Sequence, residues 1–196
     1  MENLLALLVF AFTMAVTPGP NNIIATASGV NYGYWRTMPF ILGLTFGFPV
    51  MIAMVGFGLG FLFEALPWLH TLMKVLGIAY LLWLAYKLAT ATSIGGAKDS
   101  KPFTFLQASG FQWINPKSWA ASTSTLATFT SSEAGNFHWQ VIVVASVYVA
   151  AGFISGSIWA LLGAGISRFL TNPATLKIFN LSMAVLLVGS LVMLFV

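Results

Sequence analysis

Two short segments of this sequence place prolines, asparagines and a lysine inside otherwise apolar runs. The first, TPGPNN at 17–22, lies between Glu2 and Arg36, a stretch with no other acidic residue, lysine or arginine. The second, NPKS at 115–118, lies in a similar run of the second half. Because proline has no backbone N–H, each segment must break a helix and release backbone groups that could bind a ligand.

The chemistry expected of the first segment is recognition of a small zwitterion. Pro18 and Pro20 deprive the carbonyls of Met14 and Val16 of their helical partners, and Pro20 suits the first position of a restarted helix. The amides that open that helix could hold a carboxylate, while free carbonyls and asparagine side chains could hold an ammonium group. A packing kink is the alternative. The predicted binding residues here are Thr17, Pro18, Gly19, Pro20, Asn21 and Asn22.

The second segment adds the one charge that is expected to be buried inside the bundle. Pro116 frees the carbonyl of Gln112, and an intramembrane charge such as that of Lys117 usually marks a pathway or a partner. Polar residues then recur at helical spacing up to Thr125 and predict one polar stripe, although small hydroxyl residues also simply let helices approach. The predicted binding residues of this segment are Asn115, Pro116, Lys117, Ser118 and Ser122.

Composition fixes the class of protein that must position these segments. Of the 196 residues, 59% are hydrophobic and 6% are charged, whereas about a quarter are charged in soluble domains. The sequence therefore predicts an all-α integral membrane protein. It has no cysteine, no paired carboxylates and no cluster of metal ligands, which disfavours an enzyme, a metal site or a cofactor. Its eight basic residues are scattered, so no nucleic-acid partner is expected.

Six membrane spans fit the apolar runs, each about 20 residues or longer. They form one transporter domain, 1–196, whose halves 1–89 and 102–196 are joined by the hydrophilic segment 90–101. Three spans per half predict a 3+3 inverted repeat whose first and fourth helices are broken. Glycine pairs in spans two and five, Gly43 with Gly47 and Gly152 with Gly156, are expected to pack helices. The predicted spans are 4–28, 39–63, 67–88, 106–130, 138–166 and 174–196.

At this point the motifs resemble the LysE/RhtB family of bacterial amino-acid exporters. The resemblance rests on TPGPNN, on LGLTFG at 42–47, on LMKVLGIAYLLWLAYKL at 72–88 and on NPKSW at 115–119, and it covers essentially the whole chain. It implies efflux of amino acids or their derivatives across the bacterial inner membrane, driven by an ion gradient such as that of protons or by exchange. Substrate, coupling mode and oligomeric state, a homo-oligomer included, stay open.

One departure from the family pattern bears on the substrate. Many relatives carry an acid in span two just after the glycine pair, where this chain has Phe48. The four acids all fall in loops or at span ends, so a cationic substrate would find no buried countercharge. This favours small neutral amino acids, of the threonine and homoserine type or of the cysteine and O-acetylserine type. A channel or another non-enzymatic bundle is the alternative function. The acids are Glu2, Glu64, Asp99 and Glu133.

The loop charges predict the orientation of the chain. Basic residues resist translocation, and they follow spans one, three and five, whereas three of the four acids lie at the opposite ends. Both termini are therefore expected outside the cytoplasm, with 90–101 inside. Fusions of topology reporters at the C-terminus and within 90–101 measure this directly, and a cytoplasmic C-terminus would contradict it. The basic residues on the predicted cytoplasmic side are Arg36, Lys87, Lys98, Lys101, Arg168 and Lys177, against Lys74 outside.

Overall fold

The computed structural model describes residues 4–59, 65–90, 102–131, 135–170 and 172–191, and in these ranges every regular element is a helix. The predicted all-α class is confirmed. A π-helical turn, Val55–Leu59, continues the second α-helix, and a 3-10 turn, Ser167–Phe169, follows the sixth. The α-helices of the described residues are α1 Leu4–Val16, α2 Pro20–Met54, α3 Pro67–Ala89, α4 Phe105–Ile114, α5 Pro116–Phe129, α6 Phe137–Ile166 and α7 Pro173–Gly189.

Helix α2 is folded back on itself at Gly33. This residue has φ 77° and ψ 170°, a conformation that favours glycine. The hydroxyl oxygens of Ser28 and Thr37 lie 2.9 Å apart, although nine residues of straight helix would separate them by about 13 Å. The element therefore consists of two limbs, α2a at 20–32 and α2b at 34–54, which meet at a one-residue turn.

This turn differs from the sequence prediction, which placed a connection between spans one and two at 29–38. Apart from Gly33, that segment is helical. Its polar side chains bond to the helix itself: Asn31 Nδ2 donates to the Ala27 carbonyl at 2.7 Å, and Thr37 Oγ1 donates to the Gly33 carbonyl at 2.8 Å. The polar side chains of 29–38 are therefore compatible with a helix on each side of Gly33.

Glycines set the closest helix contacts, and two of them join α2a to α6. A Cβ on Gly29 would overlap the backbone carbonyl of Ala160, and a Cβ on Gly163 would overlap that of Thr26. Both helices therefore approach each other backbone to backbone. Gly29 is four residues from Gly33, the same spacing as in the two predicted pairs, but this pair is not among those predicted to pack helices, and Gly163 has no glycine four residues away.

The predicted glycine pairs also lie at helix contacts. Gly43 and Gly47 of α2b face α4, where Ser109 Oγ donates to the Gly43 carbonyl at 3.1 Å. On α6, a Cβ built on Gly156 would lie 3.3 Å from Ile41, whereas one on Gly152 would make only ordinary contact. The packing role predicted for these pairs is confirmed for the first pair and fits Gly156 better than Gly152.

Helix directions follow from these contacts. Along α2b, Ile41 faces Gly156 and Thr45 faces Gly152, so α2b and α6 are antiparallel. Gly43 of α2b contacts Phe105 of α4, and Gly47 contacts Ser109. Residue numbers thus increase in the same direction along both helices, so α2b and α4 are parallel. Helix α3 opposes α4, because Gly77 faces Ile114 while Tyr80 stacks near Phe111.

Three segments of the described chain are long and apolar enough to cross a membrane: Pro20–Gly58, Thr71–Ala89 and Phe137–Phe169. Helices α1 and α7 are apolar but shorter. A membrane protein is therefore supported, and the count of six spans stays a prediction. Residues 91–101 and the four acids lie outside the described residues, so the assignment of that segment to the cytoplasm also stays a prediction.

Two apolar clusters make up the interior. The first joins α2, α3, α4 and α7 and includes Leu44 and Phe111. The second joins α1, α2b, α5 and α6 and includes Tyr148. Both clusters contribute side chains to the cavity described below, because Leu44 and Tyr148 line it from opposite clusters.

The backbone contact between α2a and α6 gives a stability prediction. Gly29→Ala and Gly163→Ala should each lower the unfolding temperature of the purified protein, because overpacking costs roughly 1–3 kcal/mol. Gly165→Ala is the matched control on α6, where an added Cβ meets nothing within 4 Å. Unfolding temperatures for the two contact variants that equal that of the control would contradict the close approach.

Candidate functional site

The first helix break lies where the prolines predicted it, with α1 ending at Val16 and α2 beginning at Pro20. Between them Gly19 has φ −176° and ψ 177°, an extended backbone that any residue can adopt. The lysine stem of the second break lies directly against this residue: a Cβ on Gly19 would lie 2.6 Å from Cδ of Lys117, so the stem would have to shift to make room for it. In its present position the lysine stem thus crosses the break through the space that Gly19 leaves open.

Most of the backbone carbonyls freed at the end of α1 accept a hydrogen bond from elsewhere, and the Asn22 side chain donates two of these bonds. Its buried side-chain amide donates to the carbonyl of Ala15 at 2.8 Å and to that of Thr17 at 2.9 Å. The Lys117 ammonium group donates to the same Thr17 carbonyl. Asn22 thus acts as a side-chain cap for the end of α1, reaching back from the first turn of α2.

Helix α6 supplies two further donors to the same helix end. Ser155 Oγ donates to the Ala15 carbonyl at 2.8 Å, and Trp159 Nε1 donates to the Val16 carbonyl at 3.2 Å. The expectation that the Val16 carbonyl stays free for a ligand is therefore wrong. The Met14 carbonyl still lacks its helical donor, because that position is Pro18, and Met14 lines the cavity.

The restarted helix presents its positive end at the break. The first helical hydrogen bond of α2 runs from the Ile23 amide to the Gly19 carbonyl at 3.0 Å. Within the described chain no side chain caps this helix end. The backbone amides of Asn21 and Asn22, in the first turn, therefore have no acceptor within the helix. Amides at such a position favour an anion.

The second break is a single residue, Asn115, between α4 and α5. Asn115 Oδ1 accepts from the Lys117 amide at 3.1 Å and so caps α5. Asn115 is only 1% exposed, and its Nδ2 has no hydrogen-bond partner among the described residues. The Gln112 carbonyl, expected to be free, accepts a long bond of 3.4 Å from the Asn115 amide. An unpaired buried donor beside a cavity is costly unless a water or a ligand in the cavity accepts from it.

One side-chain pair joins the two breaks. Asn21 Nδ2 donates to Gln112 Oε1 at 2.9 Å, and Gln112 Nε2 returns a weaker bond of 3.4 Å to Asn21 Oδ1. Ser118 Oγ also donates to Gln112 Oε1 at 2.9 Å, while Gln112 Nε2 donates to the Ala108 carbonyl at 2.8 Å. Gln112 is fully buried, so both breaks are held together by a satisfied polar network.

A cavity of about 60 Å³ opens beside this network. One water needs roughly 10–15 Å³ of such space, so the cavity has room for about four to six waters or for a small solute in their place. Among its described lining residues only Lys117 carries a charge. Its lining residues with amide, aliphatic hydroxyl or amino side chains are Asn21, Asn22, Gln112, Asn115, Lys117, Ser118 and Ser155, and the others are Met14, Ala15, Gly19, Leu44, Phe48, Ala121, Tyr148, Gly152 and Gly156.

Six of the eleven residues predicted for the site line this cavity: Gly19, Asn21, Asn22, Asn115, Lys117 and Ser118. The others shape the breaks or lie deeper: Thr17, Pro18, Pro20, Pro116 and Ser122. The stripe on α5 is buried, but its last member, Thr125, bonds to the Tyr148 hydroxyl at 2.8 Å. Sequence reasoning missed Gln112, Tyr148 and Ser155 as lining residues, although a glutamine inside an apolar helix is itself a signal.

Comparisons with known proteins extend across both breaks. The sequence model of the LysE type translocator family matches residues 12–195. The cysteine/O-acetylserine efflux protein of Salmonella choleraesuis (strain SC-B67) is 30% identical over 187 residues, 95% of this chain and 94% of the relative. That of Escherichia coli (strain K12) is 28% identical over the same shares. No solved structure matches the chain.

The cap formed by Asn22 predicts an asymmetry between two substitutions. Asn22→Ala removes the donor and should destabilise the protein by roughly 1–3 kcal/mol. Asn22→Asp keeps the shape but turns acceptor oxygens toward the Ala15 and Thr17 carbonyls, so it should be the less stable of the two. Thermal unfolding of the purified variants measures this. An Asp variant as stable as wild type would contradict the capping geometry.

Proposed function

The chain belongs to the LysE type translocator family, and we propose that it exports small neutral amino acids of the cysteine and O-acetylserine type by alternating access. The relatives cited above are named for efflux of these two compounds. Membership in a translocator family also argues for transport in place of catalysis. The apolar helices and the bacterial relatives support an inner-membrane, multi-pass location.

The observation that carries this proposal is a cavity with one cation between two helix breaks. The substrate carboxylate binds the Lys117 ammonium group and the amides of Asn21 and Asn22, which form the positive end of α2. The unpartnered Nδ2 of Asn115 supplies a further donor from the second break. To reach the carboxylate, Lys117 exchanges the Thr17 carbonyl for the substrate.

The substrate ammonium group needs acceptors on the other side of the cavity. The Met14 carbonyl is available because Pro18 cannot donate to it, and the side-chain oxygen of Asn21, which accepts only a long bond of 3.4 Å from Gln112 Nε2, lies at the same break. A cationic side chain would add a second positive charge near Lys117. Two like charges 4 Å apart repel by about 4 kcal/mol at an effective dielectric constant of 20. The arrangement therefore favours neutral amino acids over lysine or arginine.

Six membrane spans accommodate the helices if α1 joins α2a as the first span and α4 joins α5 as the fourth. The directions of α2b, α3, α4 and α6 alternate as consecutive spans require. Three spans on each side of 90–101 then form an inverted repeat, with one broken helix opening each half. Both termini lie outside the cytoplasm in this arrangement. Export is driven by protons or by exchange, and a homo-oligomer is compatible with it.

Transport by the purified protein in proteoliposomes tests the proposal. Flux of labelled cysteine and O-acetylserine should saturate with concentration, whereas linear flux would indicate a channel. Lys117→Ala should lower it at least about tenfold, since a hydrogen bond to a charged group contributes roughly 1.5–3 kcal/mol. Lys177→Ala, an exposed position on α7, is the matched control. Normal flux by a fully inserted Lys117→Ala protein would refute the role of this cation.

A further inference from the structure

Outside the residues of the two breaks, part of the cavity lining forms an apolar wall. Tyr148, Gly152 and Gly156 recur every four residues on one face of α6. Leu44 and Phe48, also four residues apart, face them from α2b. We refer to these five residues as the apolar wall. The binding roles proposed above involve none of them.

The chemistry of the apolar wall suits an uncharged group. The rings of Phe48 and Tyr148 meet edge to face, with centroids 5.1 Å apart and planes at 90°. The Tyr148 hydroxyl is 2.8 Å from Thr125 Oγ1 on α5, so its polar end already has a partner. What remains for a ligand is aromatic and aliphatic surface next to a carboxylate and ammonium site.

Helix packing does not explain the glycine at position 152. A Cβ there would lie 3.6 Å from Thr45 Cα, an ordinary van der Waals contact, whereas Cβ atoms on Gly29 or Gly163 would overlap backbone. The fold therefore has room for alanine at 152. Gly152 and Leu44 both line the cavity, and a methyl group on Gly152 would lie 4.0 Å from the Leu44 carbonyl, so it would stand at the border of the cavity with α2b.

We propose that the apolar wall binds the side chain of the exported amino acid and that Gly152 sets the permitted side-chain length. This inference rests on the function proposed above. It assigns the ligand class as amino acids with short, uncharged side chains. The acetyl ester of O-acetylserine is longer than the thiol of cysteine and extends further along the apolar wall. Phe48 and Tyr148 close the end of this space.

A selectivity measurement in proteoliposomes tests the inference, with cysteine and O-acetylserine as paired substrates. Gly152→Ala should lower the ratio of O-acetylserine to cysteine flux about tenfold or more, the discrimination usual for one methylene in an apolar pocket. Phe48→Leu widens the wall and should raise the same ratio. Gly165→Ala, on the same helix and outside the cavity, should leave the ratio at its wild-type value.

The outcomes separate this inference from the proposed function. If Gly152→Ala and Phe48→Leu lower both fluxes in proportion, or leave the ratio as in Gly165→Ala, the apolar wall does not bind the side chain, while export by wild type still stands. If wild type transports neither compound, the proposed function itself fails. If the Gly152→Ala protein does not insert into the membrane, the test depends on Phe48→Leu alone. The inference then requires that this variant raise the ratio of O-acetylserine to cysteine flux.

Discussion

The structure depends on one constraint: a backbone carbonyl that loses its helical partner inside an apolar bundle must find another donor. Proline at 18 and 20 creates this need at the end of α1. Asn22, Ser155, Trp159 and Lys117 meet it from three different helices. A break that would be prohibitive against lipid becomes a junction where α1, α2, α5 and α6 converge.

The same junction explains why the cavity can recognise a small charged molecule. Lys117 donates to the Thr17 carbonyl at the end of α1, and its stem crosses Gly19 to do so. Its ammonium group therefore lies beside the unpaired amides of α2. Gln112 then holds the second break against the first through Asn21. Positive charge gathers at one end of the cavity, and the wall of α2b and α6 remains apolar. The charged groups and the apolar side chain of one ligand can thus bind to different parts of the cavity.

Local chemistry made part of this predictable from the sequence. Prolines located both breaks, and helical spacing identified the buried face that begins at Asn115. Contributions from distant helices could not be predicted, because the donors Ser155 and Trp159 lie about 140 residues from the carbonyls they satisfy. The turn at Gly33 lies within the predicted connection 29–38, but its length of one residue was not predicted, because the helical hydrogen bonds made by the neighbouring polar side chains cannot be read from the sequence.

The central claim is that the two breaks together bind both charged ends of an amino acid. Thermal stabilisation of the purified wild-type protein tests it with three compounds that share a thiol: cysteine, cysteamine without a carboxylate, and 3-mercaptopropionate without an amine. A ligand at 100 times its dissociation constant stabilises the folded state by about 2.7 kcal/mol. The account predicts that cysteine alone raises the unfolding temperature. Equal stabilisation by cysteamine would contradict it, because the Lys117 end of the cavity would then contribute nothing.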